Sequence, residues 1–103
     1  MANKYWVGGN GVYSDDLNHW ALASGGAGGV GNKPSNADIA IFDINSGGGI
    51  CTIDEAVNIL GLDMKVNNTT AILQGNYIIT IGILKHVINY FYSYDFSKYI
   101  SRV

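Results

Sequence analysis

From residue 37 onward, apolar and polar positions alternate in short bursts instead of recurring at helical spacing. The segment Ala37-Asp38-Ile39-Ala40-Ile41-Phe42-Asp43 alternates in part, with Ile39 and Ile41 on one face and Phe42 on the other. Residues 50–54, 57–64, 70–73 and 77–81 repeat the theme and are rich in Ile, Val, Leu and Thr. Such runs predict strands. They are separated by Gly47-Gly48-Gly49, Asn67-Asn68 and Gly75-Asn76, residue types that turn the chain. Strand and turn recur at roughly 8–12 residues, as in all-β folds. The expected fold is all-β: a small sandwich or jelly roll, or a short β-solenoid.

The first third of the chain is built differently. Residues 4–7 predict a short strand, and Gly8-Gly9-Asn10-Gly11 a turn in which positive φ is easy. Residues 12–23 carry Tyr13, Leu17, Trp20 and Leu22, with Ser14-Asp15-Asp16 starting a turn or a single helical turn. Residues 24–36 form a Gly-rich loop, either a packed or functional excursion or a plain surface loop. Eleven of the 14 glycines fall between residues 8 and 49, beside bulky aromatics. That combination builds tight turns around a few large anchors, for which Trp6, Trp20 and Phe42 are the candidates.

The end of the chain changes character again. Residues 83–103 contain no glycine, six of the 12 aromatics and a net charge of +2, against −4 for residues 1–82. The division expected is a β module over 1–82 and an aromatic C-terminal arm over 83–103. Tyr90, Phe91, Tyr92, Tyr94, Phe96 and Tyr99 are its candidate intersubunit contacts. A final strand pair closing the domain's own core explains the same residues equally well. The run opening at Ile83 reads as helix or strand.

Composition narrows the class of function. At 103 residues with 48% hydrophobic positions and a net charge of −2, the chain suits one folded domain. It carries no basic excess, the electrostatic footprint that nucleic-acid binding requires. No stretch of 18 apolar residues predicts a membrane span, and no apolar signal region precedes the aromatic motif. Synthesis in a cytosol is expected, with exit inside a particle or by lysis. The single Cys51 has no disulfide partner and is expected to pack as a small hydrophobe in a strand.

Candidate chemistry is thin. His19 with Asp15 and Asp16 is the only His–carboxylate grouping close in sequence, and no nucleophile motif accompanies it. The structural reading has the aspartates capping a turn and His19 packed beside Trp20. Asp38, Asp43, Asp54 and Asp63 offer oxygen ligands without calcium-loop spacing, and Cys51, His19 and His86 lack zinc spacing. No metal or cofactor is expected. The loop 25–31 has no Gly-Lys-Ser/Thr for phosphate, and Asn67-Asn68-Thr69-Thr70 reads as a turn. Tyr13, Asp15 and Trp20 are candidate glycan contacts, an aromatic platform against a sugar ring; core packing is the competing role for such rings.

The motifs in order are Tyr5-Trp6-Val7-Gly8-Gly9-Asn10-Gly11, then Ser14-Asp15-Asp16-Leu17-Asn18-His19-Trp20, Ser24 to Gly29, Pro34, and Asp38 to Asp43. Together they resemble the N-terminal Tyr-Trp-Val-Gly-Gly module of β-helical bacterial surface and phage structural proteins. The second element is one residue longer here than the family pattern. The likeness covers residues 4 to about 82, with Thr52-Ile53-Asp54 and Leu60-Gly61-Leu62 matching the first solenoid coils. It implies a β-rich structural or adhesive module of a virion or cell surface, without implying an enzymatic activity. Most relatives continue into a longer solenoid, so the short chain suggests a homo-oligomer or a subunit of a larger shell. The leading expectation is a non-enzymatic structural protein of a phage or phage-like particle, as capsid decoration, cement or tail component. The alternative is a carbohydrate-binding adhesin module, extracellular or at the cell surface.

Overall fold

The computed structural model describes residues 2–65, 67–74, 77–85 and 100–102. The candidate contacts Tyr90, Phe91, Tyr92, Tyr94, Phe96 and Tyr99, and His86, lie outside the described residues.

Short strands dominate, as the alternating pattern requires. In chain order they are β1 (Ala2–Trp6), β2 (Gly11–Val12), β3 (Trp20–Ala21), β4 (Asp38–Phe42), β5 (Gly49–Ile53), β6 (Val57–Met64), β7 (Thr70–Gln74), β8 (Ile79–Lys85) and β9 (Ile100–Arg102). One helical turn, α1 (Asp16–His19), precedes β3, and a 3-10 turn spans Ile44–Ser46. Residues 83–85 of the run that opens at Ile83 are strand, since β8 passes unbroken through residues 82 and 83, and the remainder of that run lies outside the described residues. The Asp15 side chain caps α1, accepting from the Asn18 N–H. Asp43 and Ser46 close the 3-10 turn reciprocally, and Gly47 ends it in the left-handed region at φ 92°.

The strands form a six-stranded sheet, ordered β3-β1-β4-β6-β8-β9, and a three-stranded sheet, ordered β2-β5-β7. Among the described strands every pairing is parallel except β1 with β3, and a single antiparallel bridge joins Ala21 to Gly28. The register is regular. Ile39 lies opposite Gly61 and Val57 opposite Ile79, an offset of 22 residues. Gly49 lies opposite Thr70 and Ile79 opposite Ile100, an offset of 21. The turn segments at 47–49 and 67–68 thus carry the chain from one sheet to the other; neither folds a hairpin. The first crossing is longer, with Ala2 opposite Asp38, an offset of 36. The additional residues hold α1, β3 and the Gly-rich loop.

Parallel stacking brings apolar residues into rows. Ala40 lies beside Leu62, Phe42 beside Met64, Val57 beside Ile79, Ile59 beside Ile81 and Cys51 beside Ile72. All are buried in one core shared by both sheets, with Trp6, Tyr13 and Trp20 at its N-terminal end. At the midpoint of β8, a Cβ on Gly82 would stand 2.7 Å from the Leu60 carbonyl oxygen, so the chain there approaches its neighbour more closely than a side chain permits.

Candidate functional site

Two places gather the side chains singled out by their chemistry. The first is the aromatic end of the core. Trp6 and Trp20 are fully buried and meet edge to face, centroids 5.2 Å apart and planes at 77°. Phe42 sits 5.8 Å from each, stacked on Trp6 and edge-on to Trp20. Tyr13 meets Trp20 edge to face at 5.3 Å. The three candidate anchors therefore form one cluster, with Tyr13 as a fourth member. Each polar tip has a partner: Trp6 Nε1 donates to the Gly9 carbonyl, Trp20 Nε1 to the Tyr13 carbonyl, and the Tyr13 hydroxyl to the Pro34 carbonyl. Burial pushes the Tyr13 phenol far above its ordinary value, with the charges of Cys51, Glu55 and Asp38 acting in the same direction.

His19 belongs to this cluster. It stacks on Trp6, whereas sequence places it beside Trp20, and its Nδ1 donates to the Val7 carbonyl at 2.7 Å. Neither neighbouring carboxylate forms a catalytic pair with it. Asp15 accepts from the Asn18 backbone and side-chain amides, and Asp16 accepts from the Gly31 N–H. That last bond, with Gly29 N–H donating to the Asp16 and Trp20 carbonyls, folds the Gly-rich loop back on α1. The loop is a packed excursion.

As glycan contacts, Tyr13, Asp15 and Trp20 do not make a platform. Tyr13 is 4% and Trp20 0% exposed, and a sugar stacks only on a ring face that reaches solvent. Asp15 stands half-exposed beside them as a helix cap.

The remaining aspartates are dispersed into local structure. Asp38 accepts from the Ser35 N–H and hydroxyl, Asp43 from the Asn45 N–H and Ser24 hydroxyl, and Asp54 from the Ser14 N–H and hydroxyl. Burial alone would raise the Asp38 carboxyl, but the Ser35 bonds, the Lys4 charge and the Ala2 N–H outweigh it and hold the group below its usual value. Among the described residues no three of His, Cys, Asp and Glu lie close enough to hold a metal ion. Cys51 is fully buried in β5, where desolvation, then the Asp54 charge, raises its thiol well above the ordinary value. The Asn68 side-chain amide bonds the Thr70 backbone at both groups, its Nδ2 donating to the Thr70 carbonyl and its Oδ1 accepting from the Thr70 N–H, which makes that segment a tight turn.

The second place is a cleft of about 260 Å³ on the outer face of the six-stranded sheet, lined by Asn3, Ile39, Ile41, Gly61, Leu62, Asp63 and Lys65. The register assembles it: Asn3, Ile39 and Gly61 form one row, and Tyr5, Ile41 and Asp63 the next. Lys65 Nζ reaches the Asp63 carboxylate at 2.9 Å. That hydrogen bond and charge raise the Lys65 ammonium above its ordinary value; desolvation opposes the shift, and the charges of Tyr5 and Asp43 add to it. Sequence reading treats Asp63 as a stray carboxylate and does not join it to Asn3. Only the 36- and 22-residue offsets align them.

No family model, curated protein or solved structure matches the chain. The geometry therefore carries the functional reading alone. Among the described residues, no helix is long and apolar enough to cross a membrane.

Proposed function

We infer that residues 2–85 form the closed N-terminal end and first coils of a β-solenoid, and that the protein is a non-enzymatic structural component of a phage or phage-like particle. The observation that carries this reading is the parallel ladder at a constant 21–22-residue offset, closed at β1 by the antiparallel β3. Such a ladder grows by adding coils, each burying its apolar row on the one before, and needs a cap at its ends. Here α1, β3 and the folded-back loop supply the cap, and the cluster of Trp6, Trp20, Phe42, Tyr13 and His19 fills it. Leu17, Leu22 and Val30 stand exposed on that segment, an apolar surface suited to contact with a neighbouring subunit. His19, Asp15 and Asp16 are engaged in packing and capping, which favours a structural role over a catalytic one.

On this reading the protein is made in the host cytoplasm and resides in the virion, as capsid decoration, cement or tail component, in contact with itself or other virion subunits. Quantitative mass spectrometry of purified particles tests it, together with sedimentation of the recombinant protein. The expected result is a fixed copy number per particle and concentration-dependent self-association or binding to a particle subunit. A protein found only in the soluble fraction, and monomeric throughout, overturns it. The adhesin reading through Tyr13, Asp15 and Trp20 is disfavoured by the burial of both rings.

A further inference from the structure

Asn10-Gly11 is the one Asn–Gly dipeptide in the chain, and two separate demands of the fold put it there. The Asn10 side chain serves the edge of β5, its Oδ1 accepting from the Ile50 N–H at 2.7 Å. Position 11 has to lack a side chain, because a Cβ there would collide with the His19 ring. Each residue has its own packing reason. Together they form a dipeptide open to attack on its own side chain, since a glycine leaves its N–H unshielded by a Cβ and its backbone free to turn.

The folded protein holds both reacting groups. The Asn10 carboxamide is tied to Ile50, and Gly11 lies opposite Cys51 in the β2–β5 ladder. The Tyr13 N–H donates to the Thr52 carbonyl, and alternate residues of a strand turn the same groups to the same neighbour, so the Gly11 N–H faces β5 as well. Just upstream, the Gly9 N–H donates to the Ser46 carbonyl and the Gly9 carbonyl accepts from Trp6 Nε1. The nucleophile and the carboxamide are therefore released together only when β2 leaves β5. That opening is local: β2 is two residues long and stands at the edge of the three-stranded sheet. Asn10 is exposed, so water and base reach it once it is free.

We propose that Asn10 is a latent modification site: a cyclic imide forms there when β2 opens, and its hydrolysis to isoaspartate keeps β2 from pairing again. The Gly11 nitrogen gives its proton to a solvent base and bonds to Asn10 Cγ. The Cγ–Nδ2 bond breaks, and Nδ2 takes a proton from water and leaves as ammonia. One water then opens the imide. Attack at Cγ restores the normal chain with an aspartate at position 10, which still offers an oxygen to the Ile50 N–H. Attack at the main-chain carbonyl leaves the chain running through Cβ and Cγ, one carbon longer, and Gly11 no longer reaches its place opposite Cys51.

The test is incubation of the full chain in mildly alkaline buffer with and without unfolding urea, the Asn10 peptide being followed by mass and by enzymatic labelling of isoaspartate. Conversion at Asn10 is expected to outrun that at every other asparagine in urea. In native buffer it should be slower by roughly tenfold or more, the ratio reading the fraction of molecules in which β2 is open. The isolated isoaspartyl form should lose the parental amide shifts of Gly11, Val12, Cys51 and Thr52, whereas Asn10→Asp keeps those of Val12, Cys51 and Thr52. The proposal is overturned if Asn10 reacts as fast in native buffer as in urea, if it stays intact in urea, or if the isoaspartyl form retains the parental shifts. Loss of the ladder in Asn10→Asp also overturns it, because charge and not chain length would then be the cause. Sedimentation reads assembly separately, so failure here leaves the particle reading untouched, and the reverse.

Discussion

The His19 imidazole lies flat on the Trp6 indole, ring centroids 4.5 Å apart and planes 8° from parallel, while its Nδ1 donates to the carbonyl of Val7. The ring's other nitrogen is covered by Gly11, where a Cβ would stand 2.1 Å from Nε2. His19 is thus a packing residue held between an indole and a backbone.

That arrangement makes Gly11 and His19 energetically coupled. Gly11→Ala is expected to cost about 2 kcal/mol or more, because the imidazole has to leave its place on Trp6. In a His19→Ala background the same substitution should cost far less, since the methyl then enters vacated space. A double-mutant cycle by urea denaturation checks this, and additive effects would refute the coupling.

Both tryptophans are sealed in the core, which has a spectroscopic consequence. Emission of the native protein should be blue-shifted and poorly quenched by acrylamide, reverting to the exposed signature only on unfolding. Trp6→Ala, Trp20→Ala and Phe42→Ala should each destabilise by about 3–5 kcal/mol. A native protein readily quenched at both positions would contradict this packing.

Cys51 should be inert toward thiol reagents in the folded state, since its sulfur is inaccessible and its raised pKa suppresses the thiolate. Labelling by a disulfide reagent is expected to follow the unfolded fraction across a denaturant series. Rapid stoichiometric labelling without denaturant would show that β5 opens locally.

Asp38 sets one part of the acid response. Its folded pKa lies below the unfolded value of about 3.9, so its contribution is present above that pH and is lost as the pH falls through the folded value. Asp38→Ala should cost about 1–3 kcal/mol near neutrality, where it also leaves the Ser35 N–H without its partner. The difference between variant and parent should close in strong acid. A gap that stays constant with pH would assign the loss to packing instead of charge.

Much of the local structure is legible in the sequence because its causes are local. The short apolar run Ile39, Ala40, Ile41 and Phe42 marks β4, and Asp15 three residues before Asn18 marks the cap of α1. Gly8 and Gly9 turn with positive φ, as their lack of a side chain allows. The candidate glycan rings Tyr13 and Trp20 mislead for a physical reason: a large aromatic beside glycines looks the same in sequence whether its face meets solvent or Phe42.

The strands between residues 38 and 81, their turns and the apolar anchors are thus determined by the sequence alone, whereas the two-residue strands β2 and β3 carry no such pattern. Tertiary structure alone decides that the strands pair in parallel at 21–22 residues, that His19 stacks on Trp6, and that Asn3, Gly61 and Asp63 line one cleft. Those features depend on the register between residues 21 to 58 positions apart, or on a ring meeting its neighbour across a turn. A period-2 pattern specifies which face of a strand is buried but not which strand lies beside it, and only the shared core selects the partner.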